Sequence, residues 1–103
     1  HNEVKTFNRP VLTMYHVDWC GYCKRAKPEF NKIISHYKKS NDVIVRSIDC
    51  EDPENAHEVK TMNVKSYPTI YFFPDGKISP STGIKYNGER TYENMMKFTK
   101  QYV

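Results

Sequence analysis

The stretch Trp19-Cys20-Gly21-Tyr22-Cys23-Lys24 has the residue types and spacing to do chemistry. Two cysteines in a C-x-x-C arrangement, reached from an apolar run and followed by a helix-like pattern, can close a small redox-active disulfide at a helix N-terminus. The thiolate is the nucleophile of disulfide exchange, and the free N–H groups and partial positive charge of a helix N-terminus stabilise it over the thiol. Cys20, the earlier and outer thiol, is the expected attacker. Cys23, on the first helical turn, lies close enough to displace a substrate held on Cys20 as a mixed disulfide.

Other chemistries compete for the same residues. A C-x-x-C can supply half of a zinc site, but tetrahedral zinc takes four ligands, typically from a second C-x-x-C or an H-x-x-x-H, and the chain has neither. A site built from His16, Cys20, Cys23 and Cys50 is conceivable without being signalled, and no metal is expected. Two inert buried cysteines fit less well, because Gly21 and the basic residues that follow suit an open, electropositive turn.

Trp19 to Lys24 resembles the W-C-G-x-C-K active site of the thioredoxin family. Two further features stand in the family's order: Pro28, five residues after Cys23, matches the proline that kinks the active-site helix, and Tyr67-Pro68-Thr69 matches the cis-proline segment. The likeness runs from about Val11 to Val103. It implies an α/β, thioredoxin-like fold with a central mixed sheet flanked by helices. It also implies exchange of disulfides with protein substrates through Cys20 and Cys23, without a cofactor. Trp19, Gly21, Tyr22, Tyr67 and Pro68 would then hold the substrate, with a cis Tyr67-Pro68 bond aiming the Tyr67 backbone at it. Electrons would pass to or from a partner reductase or glutathione.

The sequence also departs from the family. Met14, six residues before Cys20, stands where the family usually has a buried acid that moves protons to and from the resolving cysteine. Tyr22 replaces both the proline common in reducing thioredoxins and the histidine common in protein disulfide isomerases, so the motif leaves the redox direction open. A reductase is the first reading. An oxidase or isomerase resembling a protein disulfide isomerase domain is the second, supported by Asp49-Cys50 and Tyr67-Pro68-Thr69. A thioredoxin-fold binding module, suggested by the missing acid, is the third. The first ten residues lie outside the likeness, as an N-terminal extension or with Val4 to Phe7 as a minimal edge strand.

Composition sets the frame for these elements. A chain of 103 residues gives one small domain with a modest core. No apolar stretch approaches the ~20 residues of a membrane helix, so no membrane association is expected. The formal charge of +4 mildly favours acidic partners and is too small and dispersed to argue for nucleic acid. A monomer is expected. The three cysteines leave Cys50 over if Cys20 and Cys23 pair, and they form no multi-bridge framework. That count favours the cytoplasm, with the secretory-pathway lumen as the alternative, since a chain starting at His1 leaves room for a removed leader.

Val11 to Val17 reads as a central strand entered at Pro10, although a buried helix segment has the same periodicity. From Cys20 to about Lys39, Ala26, Phe30, Ile33 or Ile34, and Tyr37 recur at helical spacing, with Pro28 inside the run. Val43 to Ile48 is a second strand, making a parallel crossover with the first. Asp52 and Pro53 start a helix that turns Ala56, Val59 and Met62 inward. Thr69 to Phe73 is a third strand, Pro74-Asp75-Gly76 a turn, and Gly83 to Tyr86 a fourth strand reached through irregular chain. Thr91 caps a last helix with Met95, Phe98, Thr99 and Tyr102 on one face.

Several residues carry an ordinary structural reading beside the functional one. Trp19 is either a packing aromatic or a cover for Cys20 that offers substrates an apolar contact. Lys24, Arg25 and Lys27 are mainly solvated helix charges whose help to the thiolate is screened by salt. His16 is a strand histidine with a proton-exchange role as its alternative. Cys50 is a buried inert thiol or, if exposed, a regulatory one.

Overall fold

The computed structural model describes residues 5–103. Strand β2 (Val11–His16) is buried along its whole length, which is what a nearly continuous apolar run requires of a strand covered on both faces. It is followed by helix α1 (Gly21–Lys38) and strand β3 (Ile44–Asp49), which pairs parallel to it in the register Met14 to Ser47. Strand β4 (Thr69–Phe73) pairs antiparallel on the other side of β2, and β6 (Ile84–Lys85) pairs antiparallel with β4. The order β3-β2-β4-β6 therefore makes the mixed central sheet expected of a thioredoxin-like fold.

The period of two along β2 divides the core. Leu12 and Met14 face α1 and helix α3 (Tyr92–Lys100), packing with Ala26, Phe30, Ile33, Phe72 and Met95. Val11 and Tyr15 face the other way, onto Met62, Phe73 and Ile78. Every large side chain in the two groups is at most 3% exposed, apart from Tyr37 and Met96 at the rim of the first. This close packing fixes the C-terminal end of β2, where the chain leaves the sheet for the cysteine motif.

A short strand β1 (Lys5–Thr6) pairs antiparallel with β5 (Lys77–Ile78) in a two-stranded sheet of its own. The Val4 part of the expected edge strand lies outside the described residues. Lys77 and Ile78 carry no strand signal in the sequence, because two residues are too few to show alternation. Gly76 makes the approach to this ribbon, with φ of +79°, and a Cβ there would collide with the carbonyl oxygens of Phe7 and Arg9. The Phe7 N–H donates to the Gly76 carbonyl at 2.8 Å.

Two helices differ from expectation. Asp52 does cap, accepting from the Glu54 N–H at 3.0 Å with Pro53 next, but the turn it starts is a 3-10 turn, Pro53–Asn55. Helix α2 (Ala56–Thr61) begins only after it, so its inward face is rotated. Ala56 is exposed, Val59 is half-buried, and the buried residues are Glu58 and Met62. Helix α3 starts at the Thr91 cap and stops at Lys100, so Tyr102 lies beyond it and stacks on Phe72 at 5.3 Å instead.

Candidate active site

Cys20 is the N-cap of α1 and Cys23 sits in the first turn. The break at this point follows from the chain: β2 ends at His16, and Asp18 and Trp19 make the turn into the helix. The first turn carries no acidic side chain, and no side chain caps it. The N-terminal amides are therefore left to the sulfur. The backbone N–H of Cys23, then that of Tyr22, hold the Cys20 thiol below its ordinary proton affinity, and the Arg25 charge adds to this. Cys23 is fully buried, and that burial raises its pKa, against a smaller opposite pull from the Val17 amide and Arg90.

Each thiol shifts the other: Cys23 helps to lower the Cys20 proton affinity, while Cys20 makes Cys23 harder to ionise. The outer thiol is thus the one held towards its thiolate and the inner one the one held towards its thiol. The Cys20 thiol also donates to the Tyr67 carbonyl at 3.6 Å. Tyr67 is half-buried, Pro68 is buried, and the bond between them is cis, as the resemblance implied. Residues 47 positions apart in sequence are thus brought together at the sulfur.

Trp19 is 64% exposed and stands edge-on to the Tyr67 ring, with centroids 6.0 Å apart. Its indole N–H donates to Glu51 at 2.8 Å, which fixes the ring beside the cysteines. Tyr22 is 61% exposed, and Gly21, the first residue of α1, is exposed as well. Trp19, Tyr22 and Tyr67 thus place aromatic surface around a partly accessible sulfur. Amphipathic rings of this kind suit a peptide chain.

Met14 is completely buried among Leu12, Ala26 and Phe30, so the position of the family's usual acid is apolar here. His16 is 5% exposed with Nδ1 unpartnered, and burial first, then Lys27, lowers its pKa. Cys50, just past β3, is half-buried, and its N–H donates to the His16 carbonyl at 2.8 Å. Burial, with Asp49 and Cys23 nearby, pushes its thiol up to about 11. That environment fits the inert reading of Cys50.

Sequence reasoning missed the polar network on the other side of the sheet. Glu58 on α2 is bound by Arg46 on β3 through both carboxylate oxygens, at 2.7 and 2.5 Å, and accepts from the Tyr15 hydroxyl at 2.7 Å. Tyr15 ionisation is pushed up by burial and by Glu58. A late start to α2 was the missing signal, since it alone turns Glu58 inward. Arg90, in the loop before α3, was also missed because nothing in its local sequence ties it to residues 68 positions earlier.

The thioredoxin family model matches residues 1–101. Among curated relatives, protein disulfide-isomerase from Oryctolagus cuniculus is 38% identical over 88 residues, covering 85% of this chain and 16% of that protein. Protein disulfide isomerase-like 2-1 from Oryza sativa subsp. japonica is 33% identical over 91 residues, or 88% of this chain and 24% of the relative. The chain thus spans a quarter or less of these relatives. Full-length ERdj5 superposes with a TM-score of 0.78 at 18% identity, over 96% of this chain and 14% of that one. The first thioredoxin domain of mouse protein disulfide-isomerase A4 does so with a TM-score of 0.67 at 28% identity, over 89% of this chain and 61% of that one. With the family model matching nearly its whole length, this chain belongs to the thioredoxin family.

Proposed function

We propose that this chain is a thiol–disulfide oxidoreductase that exchanges disulfides with protein substrates through Cys20 and Cys23. The observation that carries the reading is the opposite treatment of the two thiols. Cys20 is accessible and held towards its thiolate by helix N-terminal amides, and Cys23 is enclosed and held towards its thiol. In the reducing direction, the Cys20 thiolate attacks one sulfur of a substrate disulfide, and the other sulfur leaves as a thiolate. Cys23 then gives up its proton and attacks the Cys20 sulfur. The substrate leaves fully reduced, having taken two electrons and two protons from the Cys20 and Cys23 thiols as they are oxidised to the Cys20–Cys23 disulfide.

Trp19, Gly21, Tyr22, Tyr67 and Pro68 hold the substrate in this reading. The Tyr67 carbonyl, already facing the Cys20 sulfur, is placed to accept from a substrate backbone N–H once the thiol is ionised or bonded. A reductase or glutathione returns the electrons. Because the similar proteins include several named protein disulfide-isomerases, running the pair as an oxidase or isomerase is the second reading. The Cys20/Cys23 reduction potential measured against glutathione separates the two.

A trapping experiment tests the reading. Cys23→Ser mixed with a disulfide-bonded protein should accumulate a covalent adduct through Cys20 that dithiothreitol releases, and Cys20→Ser should give none. Adducts that form equally with Cys20→Ser would put the attack on another thiol, and partner binding undiminished with both Cys20 and Cys23 changed to Ser would leave a binding module as the better account.

A further inference from the structure

Tyr22 carries two arginines. The Arg25 guanidinium lies 4.8 Å from the centroid of its ring and the Arg90 guanidinium 5.8 Å from it, one from α1 and one from the loop before α3. Both arginines are exposed, and among the described residues neither has an ion pair or hydrogen bond to an acid. Arg46, by contrast, is bound to Glu58. Together with Glu89 and Thr91 the two line an open cavity of about 310 Å³. The carboxylate of Glu89 accepts from the Asn94 side chain at 3.3 Å and keeps its charge, so the lining carries two arginine charges against one carboxylate and is positive on balance.

The cavity adjoins the motif itself. Arg25 Nη1 is 3.5 Å from where a Cβ on Gly21 would stand, and its charge reaches the Cys20 sulfur, as that of Arg90 reaches Cys23. A substrate cysteine bonded to Cys20 brings its neighbours to this place, since one residue of extended chain spans about 3.3–3.6 Å. Guanidinium groups bind carboxylates through paired N–H groups, and stacking on an aromatic ring limits the orientations each can take before a ligand arrives.

We propose that Arg25 and Arg90, mounted on Tyr22, form a carboxylate subsite that favours protein substrates with Asp or Glu beside the reacting cysteine. The inference rests on the oxidoreductase reading and adds a substrate preference to it. Two arginines on one ring repel each other, and an anion between them removes that repulsion. An acidic neighbour also raises the proton affinity of a substrate thiol, so such substrates gain most from an enzyme that neutralises the acid while the sulfurs exchange.

The test uses three synthetic peptide disulfides that differ only in a Glu, Gln or Lys next to the cysteine. The readout is the ratio of kcat/KM values within each enzyme variant, in which the active fraction cancels, compared between variants, so that differences in the peptides' intrinsic thiol reactivity cancel as well. Wild-type protein at low ionic strength should favour Glu over Lys about fivefold, the scale of exposed charge pairs. Added salt should erode the ratio. Arg25→Gln with Arg90→Gln should lower the Glu-to-Gln ratio from its wild-type value to that of the uncatalysed exchange, and Arg25→Lys with Arg90→Lys should keep part of the wild-type preference. Exchange that proceeds with equal rates for the three peptides in wild-type protein, or with a ratio unchanged by the double Gln variant, overturns the subsite and leaves the oxidoreductase reading standing. No exchange with any of the three overturns both.

Discussion

A tyrosine, an arginine and a cysteine come together twice in this molecule, once at the start of α1 and once behind the central sheet. Tyr22 and Arg25 are exposed and Cys20 half-buried, their arginine has no acidic partner among the described residues, and their thiol is held towards its thiolate. Tyr15, Arg46 and Cys50 share the other side of the sheet. Here Glu58 takes hydrogen bonds from the tyrosine and the arginine, and the thiol is pushed up to about 11. The residue types are the same, so the difference comes from water and from partners. Backbone amides with no other task activate a thiol, and burial beside carboxylates silences one.

The largest expected effect lies in the silent set. Glu58→Gln leaves the Arg46 charge buried without its counter-ion, and loss of one member of a buried pair costs about 3–5 kcal/mol. Urea unfolding of the reduced protein should show it. Replacing both residues, Arg46→Met with Glu58→Leu, should recover most of the loss. If Glu58→Gln costs under about 1 kcal/mol, the Arg46 charge is met by water and the pair contributes as a surface pair does.

Thiol reactivity sharpens the contrast next. Near neutral pH a thiol at about 11 is almost wholly protonated, whereas the helix N-terminal amides hold Cys20 below its ordinary proton affinity, so iodoacetamide should label Cys20 about a hundredfold faster than Cys50. The stability consequences have opposite signs. The raised value at Cys50 contributes stability below the unfolded thiol pKa, and this is lost as pH rises towards about 11. The lowered value at Cys20 contributes above the unfolded pKa and is lost as pH falls through the folded one. Cys50→Ala should therefore flatten the alkaline loss of stability, and Cys20→Ala should not.

The smallest effect is at the exposed end. Trp19→Phe removes the hydrogen bond to Glu51, and because both groups meet in water the fold should lose less than ~1 kcal/mol by urea unfolding. Disulfide exchange should fall more than stability does. Equal losses would make Trp19 a packing residue first.

The surface set was legible in the sequence because its geometry is local. Cys20, Cys23, Tyr22 and the helix that starts between the cysteines lie within one short stretch, and the resemblance added Tyr67 and Pro68 from a distance. The strands Val11–His16 and Thr69–Phe73 were readable because apolar runs in a buried sheet leave a continuous signal. The buried set was not legible. A 3-10 turn of three residues before α2 decides that Glu58 points inward and Ala56 outward, and no local preference marks where one helical form yields to the other. Arg90 meets Tyr22 only through the packing of α3 on α1, which is long-range information.

The central claim is that Cys20 and Cys23 form the redox pair while Cys50 stands apart. Equilibrating the protein over a range of reduced-to-oxidised glutathione ratios, with acid quenching, alkylation of free thiols and mass spectrometry of the peptides, measures it directly. The account predicts that a Cys20–Cys23 disulfide grows in as a single two-electron transition while Cys50 remains alkylated throughout. A disulfide between Cys23 and Cys50, or glutathione on Cys20 with no internal disulfide at any ratio, would contradict it.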